Sequence, residues 1–143
     1  MIFVLDASVT MCWLLLDGKP AECAYALKVL NAMKQVQTRA LVPVTWGLEV
    51  SNVIGKAETK GLLSEAQSEA FLEMLGNVDI SADSATFSKA LTDTLQIARR
   101  YRLSAYDASY LELAVRAGLP LATLDQDLQS AANKAGLKRF AAA

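Results

Sequence analysis

Four carboxylates hold the most evident chemistry in the chain: Asp6, Glu49, Asp107 and Asp125. Taken singly, each has an ordinary structural explanation. Asp6 follows the apolar run Ile2 to Leu5 and is placed to cap the next helix. Asp107 completes Ser104-Ala105-Tyr106-Asp107, a capping-box spacing. Asp125 precedes a helical stretch with Asp127 in its first turn, positions that the helix dipole favours for acids. Glu49 lies beyond the capping-box position of a helix starting at Thr45, which leaves it as a surface glutamate beside an apolar stripe.

Taken together, the acids read differently. Asp6 and Asp125 both stand where an apolar strand gives way to a helix, so a parallel sheet directs both to the edge where open α/β sheets bind ligands. Asp107 shares a helical stripe with Leu111, Ala114 and Gly118, which turns it inward. Carboxylates converging without nearby cations repel one another, and a divalent ion resolves the repulsion. The chain has no histidine, which excludes His-based acid/base catalysis, His-activated nucleophiles and His-ligated zinc or iron. All-oxygen ligation selects Mg²⁺ or Mn²⁺. Such an ion lowers the pKa of a bound water, orients it in line with a phosphodiester and stabilises charge on the leaving oxygen.

The elements that must position these acids alternate along the chain. Ile2 to Leu5 is continuously apolar, as a strand covered on both faces requires. Val9, Trp13 and Leu16 recur at helical spacing until Asp17-Gly18-Lys19-Pro20, and a second helix runs from Pro20 towards Gln37. Ala40 to Val44 is β-like. Thr45 to Lys60 is a helix capped by Thr45 and closed by Gly61, with Trp46, Val50, Val53, Ile54 and Ala57 as its core stripe. Thr45, Glu49, Asn52 and Lys56 form the neighbouring polar stripe. Ser64 and Gln67 form a capping box for a fourth helix ending at Gly76 and Asn77.

Val78 to Ile80 is a minimal strand. Phe87 to Tyr101 is a helix with Phe87, Leu91, Leu95 and Ala98 at helical spacing, and Ser104 to Ala117 is another, ended by Gly118. Leu121 to Leu124 is a fourth strand, Asp125 opens the last helix, and Lys138 to Phe140 adds a fifth strand at an edge. This order predicts one domain over 1–140 with a signal-free tail at 141–143. The fold is α/β, a three-layer α/β/α sandwich around a mostly parallel sheet of four to five strands.

Composition agrees. With 143 residues the chain suits a single core. The N-terminal apolar run has no basic residues before it and meets Asp6 at once, so it does not read as a signal peptide, and the longest apolar run, Met11 to Leu16, is far short of a membrane span. A cytoplasmic protein is expected, with Cys12 and Cys23 as buried free thiols outside any metal or redox spacing. The formal charge is −1, yet once four acids are reserved for one pocket the 14 Lys and Arg outnumber those remaining. A phosphate-bearing substrate therefore stays admissible. The 53% hydrophobic content points to apolar helix surface covered by a second copy or a partner chain.

Asp6-Ala7-Ser8-Val9, Trp46 to Val53, Tyr106-Asp107-Ala108-Ser109-Tyr110 with Leu113-Ala114, and Ala122 to Leu128 resemble the four motifs of PIN-domain ribonucleases, most closely the VapC-type toxins of toxin-antitoxin systems. The resemblance runs from Met1 to about Phe140. It implies a Mg²⁺- or Mn²⁺-dependent endoribonuclease that cuts RNA. It further implies a homodimer restrained by an antitoxin whose C-terminal segment fills the active-site groove. Carried over by position, Asp6 and Asp107 are direct metal ligands, and Glu49 and Asp125 act through waters, position the nucleophile or hold a second ion. Ser8, Asn52 and Thr123 are donors behind the carboxylates, and Asp127 is either an additional acid of the site or a helix cap. Lys56, Lys60, Arg99, Arg100 and Arg102 are candidates for an RNA path, although each also reads as an ordinary solvated residue.

Two other functions fit parts of the pattern. A phosphoacceptor domain also carries an acidic Mg²⁺ pocket on an α/β fold, but no adjacent acid pair follows the first strand and Lys138 has no clear place there. A PIN-like fold retained only for binding proteins would leave the acids vestigial, against which stands the complete quartet.

Overall fold

The computed structural model describes residues 1–141, so residues 142 and 143 of the signal-free tail lie outside the described residues. In chain order the elements are β1 (Ile2–Leu5), α1 (Ala7–Leu15), α2 (Pro20–Met33), β2 (Arg39–Val42), α3 (Trp46–Thr59), α4 (Glu65–Leu75), β3 (Ile80–Ala82) and α5 (Thr86–Lys89). A π-helical turn (Ala90–Thr94), α6 (Leu95–Tyr101), α7 (Ala105–Ala117), β4 (Leu121–Ala122) and α8 (Gln126–Lys134) complete it.

The sheet is parallel throughout, in the order β3-β2-β1-β4. β1 is central because its apolar run can be buried on both faces: Phe3, Val4 and Leu5 are fully buried. The pleat divides them. Phe3 and Leu5 face a core built with α1, α2 and residues of α3 and α4, whereas Val4 faces Tyr110, Leu111, Leu113 and Leu128 of α7 and α8. Those two cores, one on each face, make the three layers. Trp46 at the start of α3 packs against both.

The expected fifth strand shrinks to one parallel bridge between Leu121 and Arg139. The segment is nonetheless fixed. Phe140 stacks on Phe3 with ring centroids 3.7 Å apart, and its carbonyl accepts from the Tyr25 hydroxyl at 2.7 Å. β3 forms two residues later than the sequence pattern indicates, because Ala40, Leu41 and Val42 of β2 pair with Ile80, Ser81 and Ala82.

Thr45 sits at the start of α3 but does not cap it. Its backbone is already helical, and its buried hydroxyl makes no hydrogen bond. Cys12 is buried as expected, while Cys23 is only half-buried, its Sγ 3.7 Å from that of Cys12.

The largest correction concerns 87–101. A single α-helix would turn Phe87, Leu91 and Leu95 to the core. The π-helical turn widens the helix at Ala90–Thr94, and the buried positions are Thr86 and Thr94 instead, while Phe87 and Leu91 are 88% and 86% exposed. Wide turns of this kind often mark functional sites. Phe87 before this turn and Leu91 within it form an apolar pair facing outward. The loop before it is clamped by Arg116 of α7, whose guanidinium bonds Asp83 at 2.7 Å and Glu112 at 2.8 Å.

Candidate active site

The C-terminal ends of β1 and β4 lie side by side, since Leu5 pairs with Ala122 and the Asp6 N–H donates to the Ala122 carbonyl at 2.9 Å. Asp6 is 4% exposed. It occupies the N-cap position of α1, but its side chain bonds no backbone N–H of that helix, so it is not a cap. Its Oδ2 instead accepts from Ser8 Oγ and from Thr123 Oγ1, the latter at 2.7 Å.

Both hydroxyls also tie the two strand ends together. Ser8 Oγ accepts the Leu124 N–H and Thr123 Oγ1 accepts the Asp125 N–H, each at 3.0 Å. A hydroxyl donates and accepts at once, so these two residues convert backbone position on β4 into carboxylate position on β1. Asp125 does cap α8, its Oδ1 accepting the Leu128 N–H at 2.8 Å.

Glu49 enters from α3. Its Oε1 accepts the Tyr110 hydroxyl at 2.9 Å, so it is tethered and not a free surface glutamate. Tyr110 is fully buried and one turn along α7 from Asp107. Sequence reasoning misses it as a site residue. Its position three residues after Asp107, on the inward face of the same helix, is the signal that could find it. Asp107 donates its backbone N–H to Ser104 Oγ at 3.1 Å, so Ser104 caps α7 and the Asp107 carboxylate is left out of the capping.

The electrostatics show that the acids share one region. Burial pushes Asp6 up to about 6, partly opposed by the Ser8 and Thr123 bonds and reinforced by the charges of Asp107 and Asp125. Glu49 is also raised, by burial first and then by Asp6 and Asp107, with the Tyr110 bond acting against it. Asp107 is raised by burial and by the charges of Asp125 and Asp127, against the opposing effect of Ser104. Asp127 is therefore at the rim: exposed, but close enough to act on Asp107. Asn52 is exposed on α3 and bonds to none of the acids among the described residues; it lines a hollow of about 420 Å³ with Lys56 and Lys60.

Among the described residues none of the four acids is in an ion pair, and no three His, Cys, Asp or Glu side chains stand close enough together to hold a metal ion as they lie. The donor set still fits a hard cation. Asp6, Glu49 and Asp125 each commit one oxygen to a protein donor, and the other accepts no hydrogen bond among the described residues. An open arrangement of this kind suits Mg²⁺, which keeps several waters and needs only one or two direct carboxylates.

A parallel sheet in this order, with Asp6 and Asp125 at the C-terminal strand edge and helices on both faces, defines a three-layer α/β protein. The PIN domain family model matches residues 3–134. The chain belongs to the PIN domain family. It is 32% identical over 80 residues to Ribonuclease VapC3 of Pyrobaculum aerophilum, a stretch covering 56% of this chain and 61% of that relative's length. The crystal structure of PAE2754 from Pyrobaculum aerophilum shares the fold, with a TM-score of 0.62 over 92% of this chain and 87% of that one at 23% identity.

Proposed function

We propose that the protein is a metal-dependent endoribonuclease, the toxin of a toxin-antitoxin pair. The observation that carries this reading is the buried Asp6 carboxylate, raised by burial and neighbouring acids and held at one oxygen by hydroxyls from two strand ends. The likeness to Ribonuclease VapC3 supports RNA as the substrate.

Asp6 and Asp107 would ligate Mg²⁺ or Mn²⁺, with Glu49 and Asp125 reaching the ion or its waters through their unbonded oxygens. The bound ion supplies a water of lowered pKa and charge for the leaving oxygen. Ser8 and Thr123 hold Asp6, and Tyr110 holds Glu49, so each carboxylate presents a fixed oxygen to the ion or its waters. Asp127 at the rim adds negative charge. With no histidine in the chain, proton movement falls to carboxylates and water.

Cleavage of a mixed RNA pool in Mn²⁺ or Mg²⁺ should stop on adding EDTA and resume when metal is returned. Cleavage that persists in EDTA excludes this mechanism. An RNA substrate supports a cytoplasmic site of action, and among the described residues no helix is long and apolar enough to cross a membrane.

Two protein partners complete the proposal: an antitoxin segment over the acids and a second copy of the chain. The exposed apolar pair Phe87 and Leu91, beside the π-helical turn, is the surface for the second copy. Leu91→Glu changes an exposed side chain, so the fold should persist while the dimer separates into monomers by light scattering. A Leu91→Glu protein that remains a dimer removes this face from the interface.

A further inference from the structure

We propose that a second site, beside the acids, binds one nucleotide of a single-stranded RNA. A cavity of about 360 Å³ lies between α8 and the 137–139 segment, within the size range of small-ligand pockets. Thr123 belongs to both places: its hydroxyl donates to Asp6 Oδ2, and it lines the cavity wall. Gln126, adjacent to Asp125, also lines it. The cavity therefore begins where the acid site ends.

Its chemistry is that of a nucleotide pocket. Leu137, backed by the buried Leu121, gives it an apolar wall for a base. Gln126 and Gln129 add side-chain amides that carry both donors and acceptors, as base edges do. Lys138 and Arg139 stand at the same cavity, and neither is in an ion pair among the described residues.

Arg139 is prepared for an anion. Its guanidinium lies 3.7 Å from the centroid of the Tyr25 ring, and the hydrogen bond from Tyr25 to Phe140 fixes that ring. Its Nε is buried without a hydrogen-bond partner. A stacked guanidinium has little freedom left to lose and presents its donors as a fork, the geometry that phosphate oxygens match. The guanidinium suits a phosphate, and the amide-lined apolar wall beside it suits the attached base.

This inference rests on the proposed RNA substrate, and binding separates it from cleavage. The probe is a fluorescein-labelled, mixed-sequence RNA of about 12 nucleotides, titrated in EDTA across about 50 to 200 mM salt. The Lys138→Gln/Arg139→Gln protein should bind at least about tenfold more weakly. Its log-log salt slope should flatten by about 0.7 for each phosphate that the variant no longer neutralises. Arg139→Lys, which keeps the charge and removes the fork, should retain the slope and bind with reduced affinity.

Lys138 is exposed, so Lys138→Gln alone gives a slope reading if the Arg139 variants fail to fold. Affinity and slope equal to wild type in all three overturn the pocket, as does a wild-type protein that binds no RNA. Weakened binding in a protein that cuts no RNA with Mn²⁺ supports the pocket and rejects the nuclease reading. Unchanged binding together with Mn²⁺-dependent cleavage does the reverse.

Discussion

Asp6→Asn is expected to reduce RNA cleavage by about 1000-fold, roughly 4 kcal/mol of barrier, and to leave the metal-free protein at least as heat-stable as wild type. The two halves of this result have one cause. Asp6 is 4% exposed and surrounded by acids, so its ionised form is unfavourable in the absence of a cation. Asparagine has nearly the same shape, and its carbonyl oxygen can accept the Ser8 and Thr123 hydroxyls as Oδ2 does. The substitution removes repulsion from the resting protein and the charge that would hold the ion. Cleavage is scored with Mn²⁺ and thermal unfolding with EDTA. Asp107→Asn should behave alike, with a smaller stability change because Asp107 is less buried. A variant that cuts at the wild-type rate refutes the assignment. One that is inactive because it has melted leaves Asp6 a structural residue.

The second large effect concerns pH. The folded protein retains a proton on Asp6 up to about pH 6, whereas an unfolded chain releases it near 4. Between those values the native state binds more protons, so the metal-free protein gains stability as pH falls from 7 to 5 and loses it as pH rises through 6. The full contribution of Asp6 is on the order of 3 kcal/mol, reached only below pH 4, and roughly 1 kcal/mol of it falls between pH 7 and 5. Glu49 and Asp107 are raised too and add in the same direction. Asp83 acts oppositely: burial would raise it, but its Arg116 and Thr86 bonds hold it below the ordinary range. Its contribution is lost only at lower pH, outside this window. Saturating Mn²⁺ should invert the profile, because the ion competes with protons for the same carboxylates. Melting temperatures between pH 5 and 7, with EDTA and with Mn²⁺, are the measurement. A metal-free profile that is flat or rises with pH contradicts the electrostatic account of the site.

Much of this arrangement is legible in the sequence. The unbroken apolar run at β1 identifies the central strand, since only burial on both faces allows Phe3, Val4 and Leu5 in succession. The same logic locates Asp6 and Asp125 at one edge. Tertiary contacts decide the rest. The Glu49–Tyr110 bond joins residues 61 apart in the chain, and no local pattern records it. Thr45 has a capping residue type, but its helical backbone removes the cap geometry. The spacing of Phe87, Leu91 and Leu95 does suit an α-helix with that face inward. The structure nonetheless leaves Phe87 and Leu91 exposed beside the wide turn at Ala90–Thr94, because apolar periodicity alone does not record which way a face points. Asn52 shares the polar stripe of Glu49 but is exposed and bonds to none of the acids, which spacing along a helix alone does not resolve.

The bond from Thr123 to Asp6 spans 117 positions of sequence, and this separation orders events during synthesis. β1 is translated well before its neighbour β4 and the hydrogen bonds that the 123–124 segment makes with Asp6 and Ser8. A nascent or prematurely terminated chain therefore has Asp6 without Thr123, Asp107 without Asp125, and no assembled acid pocket. Contacts this distant in sequence form late, after the entropy of closing a long loop has been met. The acid pocket is therefore a property of the finished domain alone, absent from every chain that stops short of β4.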